Sequence, residues 1–590
     1  MSFPINIKNY DIVIVGSGGS GLISAISASD NFAKSIAVIS KVNPTSSHTV
    51  SAKGGINASL SNVIEDNWKW HAFDTIKGSD YLADVDAVEI LCKNAESAIL
   101  DLEKYGVVFS RDENGKIAQR AYGGQTTDYG NGKIAYRACY SKDKTGHTIL
   151  HTLYQQAIKR NINFFLEFIV LELIIEDNKC FGCIALDLTN GEIIIFKTKI
   201  VIIATGGYSQ IFQNTTSSSI CTGDGLSLVL KEGLPLQDME FIQFHPTGIY
   251  GHGFLITEAA RGEGAYLLNA DHERFMKRYA PKMIELASRD IISQAMAIEI
   301  KEGRGAGIKK DYLYLDMRHL DKDLIATKLP GVVDLIKNFT KLNIQQDLIP
   351  VAPSSHYTMG GIPCDLDCLV IDGLMAIGEA SCLSVHGANR LGCNSLLDLI
   401  VFGKIAGYNA GKIVNNYQVK DKNYNDVIEN LVQKKIKRFI DLFDDNNNCL
   451  ELNSLKKMLK ENNENNLGVF RSEDLLKNAL SKTLEIYDQF RKYRIKNKNL
   501  IWNQEIIEYF ELESLLFNSI ATNFSAINRR ESRGSHYRFD FPQRDDNNFL
   551  AHSLVRIVDF NEIKLDFSLK KVKNHSSIKE LNLTVQKRNY

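Results

Sequence analysis

The chain has 590 residues, of which 44% are apolar and 24% charged, and its formal net charge is −1. This length exceeds what one hydrophobic core supports and predicts about three domains. The balanced charge gives no indication of nucleic-acid binding, and no run of about 18 apolar residues predicts a membrane span. Residues 1–10 resemble neither a secretory signal nor a transit peptide, which predicts a bacterial cytoplasmic protein made without a presequence.

The first predicted unit is a strand, a glycine-rich turn and a helix. The apolar run Ile12–Val15 leads into the loop Gly16-Ser17-Gly18-Gly19-Ser20-Gly21. In such a unit, backbone N–H groups and the helix N-terminus bind a pyrophosphate. The predicted cofactor-binding residues of the loop are Gly16, Gly18, Gly19 and Gly21.

The second strand, Ile36–Ile39, ends in Ser40 and Lys41. A nicotinamide-binding unit usually has an acidic residue there for a ribose hydroxyl. Its absence weakens a nicotinamide interpretation and leaves Ser40 to contact the ribose.

A polar segment from Ser47 to Gly55 follows, and it can lie along the rest of a dinucleotide. It contains His48 and ends in Gly54 and Gly55. A histidine at this place can bond covalently to a flavin, although a single histidine in a sequence is more often structural.

Farther along the chain, two more strands run into glycines. Residues 65–158 are predicted to be mostly helical, with glycine-rich interruptions at Tyr122–Gln125 and Thr145–His147. Residues 162–204 are predicted to form a meander of strands that ends at Gly206 and Gly207. The third such strand is Leu374–Ile377, which is followed by Gly378 and Glu379. Glu379 is a candidate ligand for the ribose, and a helix that begins near Asn394 is predicted to point its N-terminus at the cofactor. Three such joins predict one dinucleotide domain assembled from separated segments.

The predicted fold class is therefore α/β. A Rossmann-like cofactor domain, assembled from separated segments, carries an inserted capping domain, a helical domain and a small C-terminal domain. The predicted boundaries give residues 1–239 and 356–420 to the cofactor domain, 240–355 to the cap, 421–525 to the helices and 526–590 to the C-terminal domain. Asp444–Asn448 is predicted to be a polar hinge.

The last segment contains a dense run of mixed charges between Glu531 and Asp546. Such a run is either a solvated face or a subunit contact.

Cys180 and Cys183 form the one CxxC among ten cysteines, with no second pair nearby, so neither a metal site nor an iron–sulfur cluster is predicted. The scattered cysteines favour a reducing compartment.

Four short stretches carry residue types suited to binding a small dicarboxylate. Arginine binds a carboxylate through two parallel charged hydrogen bonds, and histidine and threonine can hold a second carboxylate. The stretches are Gln243–Gly248, Leu255–Gly264, Ser288–Asp290, and the pair His356 and Arg390.

With these motifs in order, the chain resembles the succinate dehydrogenase and fumarate reductase flavoprotein family from about Asp11 to Asp546. The most specific stretches are Ser47–Val50, Gln243–Gly248, Arg261–Gly264, Asn389–Gly392 and Glu531–Asp546. Even the terminal Arg588-Asn589-Tyr590 resembles the family's basic-then-tyrosine ending.

The resemblance implies FAD as cofactor, attached covalently to His48 through an 8α-histidyl bond. It implies that Arg289 accepts a proton from succinate, with Glu258 and Arg261 in a proton path. His245, Thr257, His356 and Arg390 would hold the dicarboxylate. The remaining implied or candidate FAD contacts are Ser40, Lys41, Gly54, Gly55, Asp224, Glu379, Ser395 and Leu396.

Three positions depart from the family pattern. Ser46 replaces a common arginine, Lys53 a usual glutamine, and Cys393 a glycine or alanine. Ser46 and Lys53 lie close in sequence to the flavin attachment, so they bear on covalent attachment and on the flavin potential.

The resemblance implies the oxidation of succinate to fumarate, with electrons passing to a separate iron–sulfur subunit and a quinone. It also implies membrane-anchor subunits and a peripheral position on the cytoplasmic side of the bacterial inner membrane. Alternatives are a fumarate reductase, more distantly an L-aspartate oxidase with noncovalent FAD, or a degenerate assembly scaffold. The stretches Ser384–Gly387 and Asn394–Leu399 favour the dehydrogenase branch.

Overall fold

The computed structural model describes residues 4–416, 424–443, 450–586 and 588. The strands are, in chain order, β1 (Ile5–Val15), β2 (Ile36–Ser40), β3 (Ile56–Asn57), β4 (Gln119–Thr126), β5 (Ile134–Cys139), β6 (Asn163–Leu166), β7 (Phe168–Glu176), β8 (Lys179–Asp187), β9 (Ile193–Ile203), β10 (Leu236–Gln237), β11 (Ile242–Ile249), β12 (Tyr266–Leu268), β13 (Leu313–Asp316), β14 (Ile349–Thr358), β15 (Ile362–Pro363), β16 (Leu369–Ile371), β17 (Leu374–Ala376), β18 (Ser381–Cys382), β19 (Phe470–Arg471), β20 (Tyr537–Arg538), β21 (Ala551–Asp559) and β22 (Lys564–Lys571).

The α-helices are α1 (Gly19–Asp30), α2 (Trp68–Gly78), α3 (Val85–Lys93), α4 (Ala95–Tyr105), α5 (Thr145–Lys159), α6 (Asp224–Lys231), α7 (Ala259–Gly262), α8 (Met276–Tyr279), α9 (Arg289–Glu299), α10 (Lys322–Lys328), α11 (Pro330–Thr340), α12 (Asn394–Asn416), α13 (Tyr424–Ile440), α14 (Leu452–Asn466), α15 (Glu473–Phe490) and α16 (Gln504–Asn528).

The central sheet has the order β16-β17-β9-β1-β2-β6, and β8 and β7 extend it beside β9. The pairs β17–β9, β9–β1, β1–β2 and β2–β6 are parallel. Strands from three distant parts of the chain therefore end at one edge, which confirms an α/β Rossmann-like domain assembled from separated segments. Helices α1 and α12 pack together on this sheet, and α12 begins at Asn394 as predicted.

The capping segment has its own antiparallel sheet, β11-β14-β13-β12, and its own apolar core. Residues 424–443 and 450–528 are mainly the helices α13 to α16, as predicted. The hairpin β21–β22 pairs with β10 of the first segment. The boundaries between the domains stay a prediction, and Asp444–Asn448 lies outside the described residues.

The prediction that residues 65–158 are mostly helical is wrong at β4 and β5, which pair with each other and with β3. Strand β4 has no clear apolar alternation and contains two glycines, so its sequence does not show a strand. Tertiary contacts hold this region instead. Buried Arg137 on β5 forms ion pairs with Asp66 at 2.8 Å and Asp74 at 2.6 Å.

The first half of the mixed-charge run is buried and not solvated, whereas Asp540, Pro542 and Gln543 in its second half are exposed. Glu531, Arg533, His536 and Arg538 are all buried. The buried arginines form ion pairs with carboxylates. Arg533, for example, pairs with Glu531 at 2.7 Å and with Asp546 at 2.8 Å. A buried charge is tolerated only when it is paired in this way. The subunit-contact interpretation stays a prediction.

Candidate functional site

The glycine loop brings the backbone of β1 against the end of β9. A Cβ added to Gly16, whose φ is +114°, would lie 2.2 Å from the carbonyl oxygen of Ala204. A Cβ on Gly21 would lie 2.0 Å from the carbonyl oxygen of Gly16. Gly18 caps α1, and Gly19 is its first residue. This glycine-only cradle at a helix N-terminus fits a pyrophosphate.

At the end of β2, Ser40 and Ser17 share a hydrogen bond of 2.7 Å between their hydroxyls. The Lys41 ammonium pairs with Asp224 at 2.9 Å and with Glu511 at 2.8 Å. Burial opposes the charge of Lys41, but the two carboxylates raise its pKa above the usual value. Lys41 and Asp224, both predicted FAD contacts, therefore bind each other at the cavity wall.

His48 lies on a 3₁₀ turn, His48–Ser51, beside the glycine loop. Its Nδ1 accepts a hydrogen bond of 3.2 Å from the backbone N–H of Ser218. Burial lowers the pKa of His48 to about 4, so the ring is neutral at pH 7. With Nδ1 engaged, Nε2 is the nitrogen left for a bond to a cofactor.

Gly54 and Gly55 follow His48 and make close contacts. A Cβ on Gly54 would lie 2.7 Å from the Tyr122 hydroxyl, and one on Gly55 would lie 2.8 Å from the carbonyl oxygen of Cys139. Lys53 also lines the cavity. Burial lowers the pKa of Lys53, while Asp143 and Asp334 oppose that shift.

Glu379 follows β17, at the third strand end. Its Oε1 accepts hydrogen bonds from the Thr358 N–H at 3.0 Å and from the Thr358 hydroxyl at 3.2 Å. Burial raises the pKa of Glu379 to about 7. A Cβ on Gly207 would lie 2.4 Å from the same carboxylate, so β9 and β17 approach each other closely here.

One cavity of about 920 Å³ joins these strand ends to the capping segment. This is near the upper end of the usual range for ligand sites, about 300–1,000 Å³. Gly19, Gly21 and Arg261 do not line it. The predicted residues that do are Gly16, Gly18, Ser40, Lys41, His48, Gly54, Gly55, Asp224, His245, Thr257, Glu258, Arg289, His356, Glu379, Arg390, Ser395 and Leu396.

At the charged end of the cavity, Arg289 and Arg390 meet on Gln243. The Oε1 atom of Gln243 accepts from Arg289 at 3.1 Å and from Arg390 at 3.0 Å. Arg390 also donates to the Ser395 hydroxyl at 3.2 Å. Burial and the charge of Arg289 lower the pKa of Arg390 to about 10. Two buried guanidiniums so close together are chemically suited to binding an anion.

Glu258 lies behind Arg289. Arg289 Nε donates to Glu258 Oε2 at 2.8 Å, and Arg261 Nη2 lies 3.7 Å from the same oxygen. Burial alone would raise the pKa of Glu258, but the two arginines hold it below its usual value. Burial lowers the pKa of Arg261, and the charge of Arg289 adds to that effect. Arg289 and Glu258 line the cavity and Arg261 does not, so the two ion pairs lead away from the cavity.

His245 and His356 face each other with ring centroids 5.0 Å apart. Burial and the nearby charge of Arg289 lower both pKa values well below the usual 6.5. His356 Nδ1 is hydrogen-bonded to the Thr216 hydroxyl at 2.7 Å, whereas His245 Nε2 is buried without a hydrogen-bond partner. Such an unpaired buried atom is expected where a ligand binds.

Sequence reasoning did not single out Gln243, Tyr122 or Ser218. Gln243 begins the stretch that contains His245, but a neutral amide side chain in a sequence does not by itself indicate a binding or catalytic role. The Tyr122 hydroxyl is also buried without a partner and lines the cavity, in a glycine-rich segment whose fold was not predicted. Ser218 acts through its backbone N–H, which no side-chain pattern reveals.

Two family models match the chain. The FAD binding domain matches residues 11–396, and the fumarate reductase flavoprotein C-terminal domain matches residues 456–590. The chain is also 46% identical over 577 residues to the succinate dehydrogenase flavoprotein subunit of Rickettsia conorii, covering 96% of each chain. The chain belongs to the succinate dehydrogenase and fumarate reductase flavoprotein family.

Two further relatives place this flavoprotein within the family. It is 40% identical to the 8-methylmenaquinol:fumarate reductase flavoprotein subunit of Wolinella succinogenes, over 94% of this chain and 90% of that one. A solved E. coli quinol fumarate reductase chain superposes with a TM-score of 0.92 at 34% identity, over 97% and 98% of the two chains. The family and the glycine cradle agree on FAD as the cofactor.

No helix within residues 4–416, 424–443, 450–586 and 588 is both long and apolar enough to cross a bilayer. Over those same ranges, no group of three or more His, Cys, Asp or Glu side chains could hold a metal ion. Cys180 and Cys183 are both buried on β8.

Proposed function

We propose that this flavoprotein is a subunit of succinate dehydrogenase and oxidises succinate to fumarate. The observation that carries the proposal is the arginine pair on Gln243, which shares one cavity with the glycine cradle and with His48. An anion-binding end and a dinucleotide-binding end in one cavity fit a dicarboxylate held against FAD.

The substrate is held by groups at the charged end of the cavity. Arg390 binds one carboxylate, and its partners Gln243 and Ser395 fix the plane of its guanidinium. His245, His356 and Thr257 bind the other carboxylate, with His245 Nε2 as a neutral hydrogen-bonding atom. This arrangement holds both ends of a four-carbon chain and presents its central methylenes to the flavin.

FAD, when bound, accepts a hydride from one substrate carbon. Arg289 removes the proton from the neighbouring carbon. It does so as one member of a relay: its Nε–H is already hydrogen-bonded to Glu258, so a proton gained by Arg289 is matched by one passed to that carboxylate. Arg261, whose Nη2 lies 3.7 Å from the same Glu258 oxygen, continues the relay: it gains a proton from Glu258 as it gives up one of its own on the side away from the cavity.

His48 would hold the flavin covalently through Nε2. Burial keeps the His48 ring neutral at pH 7, and because Nδ1 accepts the Ser218 N–H, the ring proton is on Nε2 and would be lost as the bond to the flavin forms. The Ser218 N–H on Nδ1 holds the ring in one orientation. Gly16, Gly18, Ser40 and Glu379 bind the pyrophosphate and ribose portions, and Leu396 packs against the cofactor.

An iron–sulfur subunit would take up the electrons that bound FAD supplies and would pass them to a quinone, and small membrane-anchor subunits would hold the complex at the membrane. The chain sits peripherally on the cytoplasmic side of the bacterial inner membrane. The proposal of these partner subunits rests on family membership and on the need for a carrier that takes electrons one at a time. The described residues offer no cluster of metal ligands that could be such a carrier.

The second candidate is a fumarate reductase, which uses the same site in the opposite direction. The 40% identity to the Wolinella succinogenes subunit and the TM-score of 0.92 to the E. coli chain keep it as an alternative, while the 46% identity to a dehydrogenase subunit favours the dehydrogenase. The test is the ratio of succinate oxidation to fumarate reduction by the assembled complex with artificial electron carriers. Faster succinate oxidation supports the dehydrogenase, and the reverse ratio supports the reductase.

A further inference from the structure

The residue after Arg289 is held by the opposite end of the chain. Asp290 is the second residue of α9, and its side chain is fully buried. It accepts a hydrogen bond of 2.5 Å from the Ser288 hydroxyl and an ion pair of 2.5 Å from Arg588, which lies 298 residues farther along. A carboxylate at the start of a helix is stabilised by the helix dipole, so Asp290 fixes both the helix end and Arg588.

Asp290 is connected to both cavity arginines through two amide side chains. Its Oδ1 accepts a hydrogen bond of 3.2 Å from Asn389. The Asn389 oxygen accepts one of 2.8 Å from Gln243, whose own oxygen binds Arg289 and Arg390. A continuous network therefore runs from the chain terminus to the two guanidiniums.

Arg588 also holds the cofactor-binding part of the molecule. Its Nη2 lies 3.2 Å from Asp80, and its Nη1 donates to the Gly78 carbonyl at 3.5 Å. Asp80 in turn accepts from the Gly534 N–H at 2.8 Å and from Arg544 at 2.7 Å. One guanidinium thus ties the first turn of the capping helix α9 to the rim of the cofactor domain.

The geometry points to Arg588 as a positioning residue for the oxidation of the dicarboxylate. It holds Asp290, and through Asp290 it sets the position of α9 and the orientation of Arg289 relative to Arg390. The inference rests on the proposed function of the same site. It predicts that removing a guanidinium at the end of the chain impairs chemistry at a cavity that Arg588 does not line.

The test compares Arg588→Ala, Arg588→Lys and Asp290→Asn with wild type, each in the assembled complex. Lys573→Ala is the matched control, because Lys573 is another C-terminal cation whose ion pair, 3.1 Å to Asp86, does not reach this network. Succinate oxidation is expressed per bound flavin, and the dissociation constant for malonate is read from the flavin spectrum. Because both quantities refer to protein that has bound flavin, they distinguish misplaced catalytic groups from a simple loss of cofactor.

We expect Arg588→Ala and Asp290→Asn to lower kcat/KM per flavin about ten- to a hundredfold, the usual consequence of a small misplacement of catalytic groups. Arg588→Lys keeps the positive charge but not the planar guanidinium with its paired donors, so its kcat/KM should lie between those of Arg588→Ala and wild type. Millimolar guanidinium should partly restore Arg588→Ala, while sodium at equal ionic strength should not.

Values of kcat/KM and malonate affinity within twofold of wild type in Arg588→Lys and Asp290→Asn would overturn the inference, even if Arg588→Ala does not fold. A wild-type complex that fails to oxidise succinate would instead overturn the proposed function. The two failures are therefore distinguishable.

Discussion

Arg289 and Arg390 donate to the same atom, Oε1 of Gln243, at 3.1 and 3.0 Å. Arg289 follows the cap's Ser288 at the start of α9, whereas Arg390 precedes α12 of the cofactor domain. A neutral amide thus sets the spacing of two cations that would otherwise repel each other. The other end of Gln243 is fixed too, because its Nε2 donates to Asn389 and to the Arg390 carbonyl, both at 2.8 Å.

Replacing Gln243 by Leu removes this shared acceptor. Hydrogen bonds to charged groups are worth about 1.5–3 kcal/mol, so kcat/KM for succinate should fall about ten- to a hundredfold. Steady-state kinetics of the complex measure this effect. Gln346→Leu, at an exposed glutamine of the capping segment, is the control and should be near wild type.

Replacing Arg289 by Gln removes the proposed proton acceptor but leaves the glycine cradle and His48 intact. We expect the protein to retain FAD and to lose succinate oxidation, because Glu258 no longer has a donor that reaches the substrate. Flavin content and turnover are measured on the same sample. Substantial turnover in this variant would contradict the role of Arg289 in proton transfer.

Replacing His48 by Ser should abolish covalent flavin without removing the cavity. After acid precipitation and washing, flavin fluorescence should remain in the wild-type pellet and be absent from that of His48→Ser. His147→Ser, at an exposed histidine on α5, is the control. A colourless pellet from active wild-type protein would show that Ser46 and Lys53 prevent attachment and that the FAD is noncovalent.

Replacing Lys53 by Gln should lower the flavin midpoint potential. A cation at the cavity wall stabilises the more negative, reduced form of the cofactor, and its removal favours the oxidised form. A tenfold change in that equilibrium corresponds to about 30 mV for two electrons, which a redox titration detects. An unchanged potential would mean that Lys53 does not act on the flavin electrostatically.

Buried His552 should give the fold a characteristic dependence on pH. Its ring nitrogens lie 2.6 Å from Asp238 and 3.2 Å from Asp84. Burial alone would lower its pKa, but the two carboxylates raise it from 6.5 to about 9. The stabilisation, roughly 3 kcal/mol, is therefore fully present below pH 6.5 and lost as the pH rises through 9.

The urea midpoints of wild type and His552→Gln test this prediction. The difference between them should be largest near pH 6 and shrink above pH 9. The control is His575→Gln, at an exposed histidine of the same segment. A difference that does not change with pH would contradict a charged His552.

The sequence predicted those elements whose signal is local. The loop Gly16–Gly21, the strand ends at Gly206 and Glu379, and the start of α12 each combine an apolar run with a turn residue, and each is present. The β4–β5 pair was missed because buried ion pairs of Arg137, not apolar alternation, hold it. The burial of the charged run at Glu531 was not predicted because some of its partners are hundreds of residues away: Arg544 pairs with the Asp80 carboxylate at 2.7 Å, and Arg533 donates to the Asp80 carbonyl oxygen.

The candidate site shows the same division. Arginines and histidines stood out by residue type and by their glycine neighbours, and 17 of the predicted residues line one cavity. The hydrogen bonds that orient them come from Gln243, Asn389, Thr358 and the backbone of Ser218. Such neutral partners are recognised only once the fold brings them together.

The most direct test of the proposed function is anaerobic addition of succinate to the purified protein while its flavin absorbance is recorded. We expect the oxidised flavin to bleach and fumarate to appear in equal amount, with malonate slowing both. Flavin that stays oxidised in a sample of full FAD content, or that bleaches without forming fumarate, would contradict oxidation of succinate at the Arg289–Arg390 site.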